Sequence, residues 1–225
     1  MRLSEREVLL LQDCPLFSGM NREKIAEALI LLQAELQETQ RGDMLVRYGD
    51  PMRRFGLVLH GHVEVFTEDF EGRHMIMASV SRGTLFGEAL AFIRTKEAPL
   101  YIRATEFSKI LWMSPERLLE GGDPSAYEMT RRYANLLSLK LLSVNDRVQV
   151  LSKHTIRDKL MTYLTQCRVK AGSAAFALPF GREALADYLG VNRSALCREI
   201  SAMIRDGLIR VDGRRVTLLK EPEEL

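Results

Sequence analysis

The chain has 225 residues, 46% of them hydrophobic and 28% charged, and a formal net charge of +2 at pH 7. This composition is ordinary for a soluble globular protein, and no apolar run approaches the roughly 18 residues that a membrane span needs. The three cysteines, Cys14, Cys167 and Cys197, lie too far apart for a thiolate metal motif, and their odd number argues against a disulfide framework.

The near-neutral total hides an uneven distribution of charge. Residues 1–152 carry 19 Lys and Arg against 21 Asp and Glu, a net charge of −2. Residues 153–220 carry 13 Lys and Arg against 6 Asp and Glu, a net charge of +7, and the last five residues add three acids. A basic C-terminal segment is typical of a protein that contacts nucleic acid.

The first 36 residues are predicted to form short helices. Asn21 is a favourable cap for a helix in which Ile25, Leu29 and Leu32 repeat at helical spacing. The acidic start of the chain, with Glu5 and Glu7, is unlike a secretion signal. We therefore expect a cytoplasmic protein with no membrane partner.

Residues from about 38 to 115 are predicted to form a small antiparallel barrel or sandwich. Short β-rich runs such as FGLVLH, HVEVF and HMIMASV are separated by glycines at intervals of four to eleven residues. The glycines that mark these turns are Gly42, Gly49, Gly56, Gly61, Gly72, Gly83 and Gly87.

A long helix is predicted next, over residues 125–152, after a break at Gly121-Gly122-Asp123-Pro124. Its apolar residues advance in alternating steps of three and four, the heptad spacing of a two-helix seam. The seam consists of Ala134, Leu137, Leu141, Val144, Val148 and Leu151. The position of this helix between two predicted domains favours a parallel homodimer over the packing of one face within a single chain.

The segment GREALADYLGVNRSALCREISAMIRDGLI predicts a helix-turn-helix. Leu185 and Leu189 form the apolar stripe of a first short helix, and Gly190 supplies the turn. Asn192 caps the second helix and is also a candidate DNA-binding residue. The buried stripe of that second helix is predicted to consist of Leu196, Ile200 and Ile204.

The outer face of the second helix carries side chains suited to reading DNA. These are Arg193, Ser194, Cys197, Arg198 and Ser201. Arginines near the N-terminal half of such a helix can bind the O6 and N7 atoms of guanine with both arms. Arg182, at the start of the preceding helix, is suited to a phosphate contact. The Asp212-Gly213 hairpin signal predicts a wing whose basic residues are Arg210, Arg214 and Arg215.

The complete pattern resembles the CRP/FNR family of bacterial regulators. The resemblance is carried by CPLFSGM, GDPMRRFGLVLHGHVEVF, LFGEALAF and VNRSALCRE, and it spans nearly the whole chain. It implies an α+β fold: a β-roll sensor domain over 1–120, a dimerisation helix over 121–152 and a winged helix-turn-helix over 153–225. It implies base reading by Arg193, Ser194 and Arg198 and a phosphate contact by Arg182. Inverted-repeat DNA and RNA polymerase would be the partners.

The same resemblance implies an effector pocket in the β-roll, where family members that bind cyclic nucleotides use a Gly-Glu pair and an Arg-Ser clamp. Gly87-Glu88 matches the pair, but Ala98 and Pro99 stand where the clamp should be. Neither side chain offers a charge or hydrogen bond to a buried phosphate. We therefore expect an unknown effector that is not cyclic AMP, in a pocket formed by Gly87, Glu88, Tyr101 and Arg103, with Arg103 the candidate substitute cation. A cyclic-nucleotide-responsive member of the family is the alternative.

A metal-dependent enzyme of the cupin type is the remaining alternative. His60 and His62 lie two residues apart and can share one face of a strand. Glu64 follows too closely for the usual cupin ligand, and this interpretation leaves residues 125–225 without a role. Two surface histidines that flank a turn glycine explain the pattern better, so we expect no metal, no resident cofactor and no catalytic residues.

Overall fold

The computed structural model describes residues 3–69, 71, 73–120 and 124–220. The chain divides into two compact units, Met1–Ser138 and Leu139–Leu225. The predicted break at 121–123, the turn glycine Gly72 and the acidic last five residues lie outside the described residues. No helix in the described ranges combines the length and the apolar character that crossing a membrane requires.

The first unit begins with two capped helices, α1 (Glu5–Asp13) and α2 (Arg22–Leu31). Ser4 and Glu7 form a reciprocal capping box at the start of α1, in which each side chain accepts a hydrogen bond from the other residue's backbone N–H. The Asn21 side chain accepts a hydrogen bond of 2.9 Å from the Lys24 N–H, so the predicted cap of α2 is confirmed.

The predicted β-roll is confirmed as two four-stranded antiparallel sheets. One sheet has the order β1-β8-β3-β6 and the other β2-β7-β4-β5. The strands are β1 (Glu35–Thr39), β2 (Met44–Val46), β3 (Phe55–His60), β4 (His62–Glu68), β5 (His74–Ser81), β6 (Leu85–Phe86), β7 (Tyr101–Ala104) and β8 (Ser108–Met113). Two short helices accompany them, α3 (Glu88–Phe92) and α4 (Glu116–Glu120).

Apolar side chains fill the space inside the roll. Val58 and Ile110 are fully buried, and Phe86 packs edge-on against Trp112 with the ring centroids 5.3 Å apart. A second cluster joins the roll to the helices of this unit, where Phe55 meets Tyr133 at 5.2 Å. Burial on both sides of the sheet that contains β3 explains why FGLVLH is an almost continuous apolar run.

The long helix α5 (Pro124–Leu151) has the predicted extent within the described residues. Its first part belongs to the first unit, where Met129, Tyr133 and Leu136 are buried. The boundary between the two compact units falls inside this helix, after Ser138.

The second unit contains a three-helix core and a small antiparallel sheet. Its helices are α6 (Ile156–Ala171), α7 (Arg182–Leu189) and α8 (Arg193–Arg205), and its strands are β9 (Ala175–Ala177), β10 (Ile209–Asp212) and β11 (Arg215–Leu218). The sheet has the order β10-β11-β9. Thr155 caps α6 with its hydroxyl, which accepts a hydrogen bond of 3.0 Å from the Asp158 N–H.

Candidate nucleic-acid interface

The turn between α7 and α8 depends on a glycine. Gly190 has φ 63, a left-handed conformation that favours glycine, and it ends α7 with a hydrogen bond from its N–H to Asp187. A Cβ on Gly190 would lie 3.3 Å from the Leu151 side chain, so there is little spare room. Leu185, Ala186 and Leu189 are buried, as the sequence predicts.

The start of α8 is held by Asn192. Its side-chain oxygen accepts a hydrogen bond of 2.9 Å from the Ser194 N–H and another of 2.6 Å from the Ser194 hydroxyl. This confirms the predicted cap. The backbone N–H of Ser194 is satisfied within the protein, while the charged side chains beside it extend into solvent.

The buried stripe of α8 differs from the prediction by one residue. Leu196 and Ile200 are buried, but the third member is Met203, fully buried, and Ile204 is 44% exposed. At about 100° per residue, seven residues after Leu196 return to within about 20° of its direction, whereas eight overshoot by about 80°. The prediction of Ile204 was therefore wrong.

The opposite face of α8 is polar and cationic. Arg193, Ser194, Arg198 and Ser201 are all exposed, and Cys197 between them is partly exposed. Neither Arg193 nor Arg198 forms an ion pair with another described residue. The Ser201 hydroxyl donates a hydrogen bond of 3.0 Å to the Cys197 carbonyl of its own helix. Both guanidinium groups are therefore available to an external partner.

The wing forms a two-residue hairpin, shifted by one residue from the predicted turn. Asp212 pairs with Arg215, so Gly213 and Arg214 make the turn, with Gly213 at φ 56. This register pairs Val211 with Val216 and Ile209 with Leu218, which keeps apolar side chains together on the core face. An Asp-Gly turn would instead have paired Val211 with Arg214. Arg210, Arg214 and Arg215 are exposed, and Arg182 is partly exposed at the first residue of α7.

Sequence reasoning missed Arg157, which anchors α8 to the start of α6. Its guanidinium donates to Glu199 at 2.6 Å and lies 2.8 Å from a carboxylate oxygen of Asp206. The hydrogen bonds that Arg157 donates to the two carboxylates raise its pKa above the ordinary value. The contact joins residues that lie 42 positions apart, and no local motif indicates such a pair.

The predicted dimer seam lies on α5 as an exposed apolar stripe. Leu141 is 60% exposed, Val144 59% and Val148 57%. Leu151 is 41% exposed, and Leu137 packs partly against the core of the first unit. Leu139 and Leu142 widen the stripe. A single copy of the chain therefore leaves this apolar surface in contact with water.

The structure does not bring together the four residues of the expected effector pocket. Tyr101 and Arg103 alternate along β7 with the buried Ile102 and Ala104, so they face away from the interior of the roll. The Arg103 guanidinium forms an ion pair of 2.6 Å with Glu64 and lies 4.8 Å from the centre of the Phe66 ring. The cation proposed as a substitute clamp is thus engaged on the outer face of its sheet.

Glu88 lies on the opposite side, in the interior. It is 6% exposed, and its backbone carbonyl accepts a hydrogen bond of 2.8 Å from the hydroxyl of Tyr133. Burial and then the charge of Glu88 raise the pKa of Tyr133, so its hydroxyl stays protonated as a donor. Gly87, before it, has φ 74, and a Cβ there would collide with the Met52 side chain.

Ala98, at the position of the family's clamp arginine, is completely buried among apolar side chains. Its backbone is also used: the Ala98 N–H donates to Asp50 at 2.8 Å, and its carbonyl accepts from Gly49 at 2.9 Å. An arginine at this position would need space and a charged partner that the packed cluster around Ala98 does not offer.

The histidine pair is engaged in other contacts. The His62 ring lies 2.6 Å from the Ser79 hydroxyl, and Glu64 is paired with Arg103. His60 is exposed and faces the Phe107 ring with the centroids 6.0 Å apart. Across the residues that the structure describes, no group of three or more His, Cys, Asp or Glu side chains is placed to hold a metal ion.

Comparisons with known proteins agree with both halves of the fold. Residues 36–121 match the cyclic nucleotide-binding domain family, and residues 158–225 match the Crp-like helix-turn-helix domain family. The chain is 25% identical over 189 residues to the transcriptional activator protein anr of Pseudomonas aeruginosa, covering 82% of this chain and 76% of that protein. It is also 25% identical over 224 residues to the probable transcriptional regulator flp of Lacticaseibacillus casei, with 91% of each chain covered.

Solved structures show the same fold. The catabolite activator protein of Thermus thermophilus superimposes with a TM-score of 0.51 at 22% identity, covering 91% of this chain and 93% of that one. DNR from Pseudomonas aeruginosa gives a TM-score of 0.51 at 20% identity, with 100% and 98% covered. The β-roll, the long helix α5 and the capped helix α8 follow one another in the same order as in these relatives, and the chain belongs to the CRP/FNR family of DNA-binding transcription regulators.

Proposed function

We propose that the protein acts as a homodimer that reads an inverted-repeat operator. The observation that carries this proposal is the exposed heptad stripe of Leu141, Val144 and Val148 on α5. Apolar side chains at this spacing pack against the same stripe of a second parallel helix, and water contact disfavours leaving them exposed. Two copies joined along α5 would present two α8 helices related by a two-fold axis, which matches the symmetry of an inverted repeat.

Base recognition is assigned to the N-terminal half of α8. Arg193 and Arg198 are exposed and form no ion pair with the described residues, so each guanidinium can engage a guanine with two hydrogen bonds. Asn192 orients the start of the helix, and Ser194 and Ser201 flank the arginines on the exposed face. Their hydroxyl oxygens can still accept hydrogen bonds from base amino groups.

Backbone contacts are assigned to residues around this helix. Arg182 stands at the first residue of α7, where its charge and the free N–H groups of the helix end suit a phosphate. Arg214 and Arg215 project from the wing and can reach a neighbouring phosphate. These contacts would set affinity and register without reading sequence.

The regulatory signal is proposed to be something other than cyclic AMP or cyclic GMP. Support comes from Ala98, whose side chain is buried in an apolar cluster where a cyclic phosphate would need a cation. Residues 1–120 would then form the sensor, 121–152 the dimerisation helix and 153–225 the reader. The protein would act by regulating transcription together with RNA polymerase, and not as an enzyme.

Operator selection from a random DNA pool tests the assignment of the reader. We expect an inverted repeat with half-site centres about 34–36 Å, or one helical turn, apart or a multiple of that. Arg193→Ala and Arg198→Ala should each relax the preference at one base pair of the half-site. Arg182→Ala should weaken all sequences alike and reduce the salt dependence. Arg205→Ala, at the far end of α8, is the matched control. Equal loss at every sequence for Arg193→Ala, Arg198→Ala and Arg182→Ala would contradict the assignment.

Titration calorimetry tests the proposed signal. Cyclic AMP and cyclic GMP should give no saturable heat with the full-length protein at micromolar concentrations. Low-micromolar binding of either nucleotide, accompanied by tighter operator binding, would favour the cyclic-nucleotide-responsive alternative.

A further inference from the structure

A cationic crevice lies where the loop after β2 passes the segment between α3 and β7. It has a volume of about 430 Å³ and is lined by Pro51, Arg53, Arg94, Thr95 and Lys96. Three backbone hydrogen bonds of 2.8 to 2.9 Å join the two segments. The Gly49 N–H donates to the Ala98 carbonyl, the Met52 N–H to the Thr95 carbonyl and the Ala98 N–H to the Asp50 carbonyl. The walls of the crevice are therefore fixed by the backbone.

Three of the five lining residues are cations, and none is an acid. Arg94 forms an ion pair of 3.0 Å with Glu116 and is partly neutralised. Arg53 and Lys96 are exposed and form no ion pair with the described residues. The acids nearest in sequence, Asp50 and Glu97, are not among the lining residues, and the Asp50 carboxylate accepts a hydrogen bond of 2.7 Å from the Arg47 N–H. About two positive charges are therefore left for a ligand.

The backbone at Arg94 is in a conformation that favours glycine. Its φ is 52, and it follows the last turn of α3, where its N–H donates to Ala91. A non-glycine residue in this region costs free energy, and such strain concentrates at functional sites. The conformation holds the base of the Arg94 side chain at the crevice, where Glu116 orients the guanidinium.

Thr95 provides an independent indication. Its hydroxyl oxygen is inaccessible to solvent and has no hydrogen-bond partner among the described residues. A buried hydroxyl without a partner is unfavourable and rare in native proteins. Because Thr95 also lines the crevice, its hydroxyl is a candidate neutral donor to an anion there, beside the two cations.

We propose that this crevice binds a phosphate-bearing small molecule. A carboxylate would neutralise only one of the two available charges, whereas a doubly charged phosphate matches both, and guanidinium groups suit phosphate geometry. The volume exceeds what one phosphate group needs and lies in the range of small-molecule sites, so it fits a pyrophosphate or a sugar phosphate. The site is distinct from the interior of the roll and from the reader helix, and it goes beyond the proposed function.

Calorimetry on the full-length protein, without DNA, tests the crevice independently of operator binding. Inorganic phosphate, pyrophosphate and ribose 5-phosphate are titrated separately, which distinguishes a preference for the phosphate group alone from one for its organic ester. We expect saturable, sub-millimolar binding of pyrophosphate or ribose 5-phosphate and weaker binding of inorganic phosphate. Absence of binding by all three up to about 10 mM would overturn the proposal.

Substitutions then locate the site. Arg53→Gln and Lys96→Gln should each weaken binding roughly tenfold, because each removes a charge-assisted hydrogen bond. Arg41→Gln, an exposed arginine elsewhere in the same unit, is the matched control and should leave binding unchanged. An equal loss in Arg41→Gln would show attraction by net charge only and would overturn the proposal.

Thr95→Val separates binding from stability. Valine keeps the shape of threonine and removes the unpartnered hydroxyl, so it should raise the melting temperature of the free protein while weakening phosphate binding severalfold. These opposite effects are not expected from general damage to the fold. Unchanged affinity in Thr95→Val would overturn the assignment of the hydroxyl as a ligand.

Discussion

The Nε atom of Arg157 lies 2.6 Å from a carboxylate oxygen of Glu199, and this ion pair neutralises an acidic residue of α8. Glu199 directly follows Arg198 in the chain, and its side chain is 24% exposed. Arg157 neutralises Glu199 and also contacts Asp206, the C-cap residue of α8, at 2.8 Å. These two acids therefore cancel less of the positive charge of the exposed arginines on α8 than they would without Arg157. Arg157, which lies on α6 and not on α8, is therefore expected to influence the attraction of α8 for DNA.

Replacing Arg157 should weaken DNA binding without changing base preference. Arg157→Gln leaves Glu199 and Asp206 uncompensated, so we expect about a fivefold to tenfold lower operator affinity at low salt and a smaller loss at high salt. The stability cost should be about 0.5–1 kcal/mol, because the pair is partly exposed. In the Glu199→Gln variant Arg157 keeps its contact with Asp206, and the variant should bind the operator as well as the wild type or better. Fluorescence anisotropy at two salt concentrations distinguishes them, and equal losses would refute this role.

Tyr133 should stabilise the first unit through its hydroxyl. Tyr133→Phe removes the donor to the buried Glu88 carbonyl while keeping the ring, which stacks on Phe92 at 5.0 Å. We expect a loss of about 1–2 kcal/mol in the free energy of unfolding, measured by urea denaturation. Tyr127→Phe, at a side chain that is 75% exposed, is the control and should change nothing. Identical midpoints for the two variants would show that the hydrogen bond contributes no net stability.

The sequence was sufficient to predict the main elements because each has a local cause. The Asn21 and Asn192 caps, the left-handed Gly190 and the glycine-separated strands follow from propensity and turn chemistry within a few residues. The same reasoning failed by one residue at Ile204 and at the wing turn. In both places packing against the core determines which side chains are buried. A sequence pattern cannot distinguish two such alternatives that differ by one residue.

Contacts between distant residues were beyond reach of the sequence. Arg103 reads as a candidate for the interior pocket, but strand alternation places it outside, against Glu64, which lies 39 residues earlier. No sequence motif marks Arg157, Thr95 or Arg53 as functional residues. The ion-pair partners of Arg157, and the other residues that line the crevice with Thr95 and Arg53, come from distant segments of the chain. The clamp substitution at Ala98 was visible only through the family resemblance, and its complete burial required the structure.

Acid should remove the contribution of Glu7 to stability. Burial alone would raise the pKa of Glu7, but hydrogen bonds from Lys109 and Ser4 outweigh it and lower the pKa from 4.5 to about 2. A lowered pKa in the folded state stabilises the protein above the unfolded value, and this contribution is lost as pH falls from about 4.5 to about 2. Glu7→Gln should therefore cost about 1–2 kcal/mol at pH 7, less than the full pKa shift because water screens the pair, and almost nothing near pH 2. Thermal unfolding of both proteins across this range checks the convergence, and a constant difference would refute the linkage.

Gln33 should be replaceable by glycine with a gain in stability. It follows Leu32, the C-cap of α2, and has φ 48, in the left-handed region where a Cβ is unfavourable. Gln33→Gly should raise the free energy of unfolding by up to about 1 kcal/mol, partly offset by the greater freedom of glycine in the unfolded chain. Gln33→Ala keeps the Cβ and serves as the control, with no gain expected. A glycine variant no more stable than the alanine variant would show that the conformation carries no strain.

A charge in the stripe of α5 should dissociate the dimer while leaving the single chain folded. Leu141 is 60% exposed in one copy, so Leu141→Glu disturbs no packing within the chain. In a parallel pair the substitution would bury two like charges against each other, at a cost of several kcal/mol and a rise in the dissociation constant of a hundredfold or more. Ser143→Glu, exposed on the same helix but outside the seam, should remain dimeric.

Light scattering measures the mass of each variant, and circular dichroism checks that its helix content is retained. Operator binding should fall with the dimer fraction, because the DNA-binding unit of one copy makes only half the contacts. A wild-type protein that is monomeric at micromolar concentration, or two glutamate variants that dissociate equally, would remove α5 as the dimer interface.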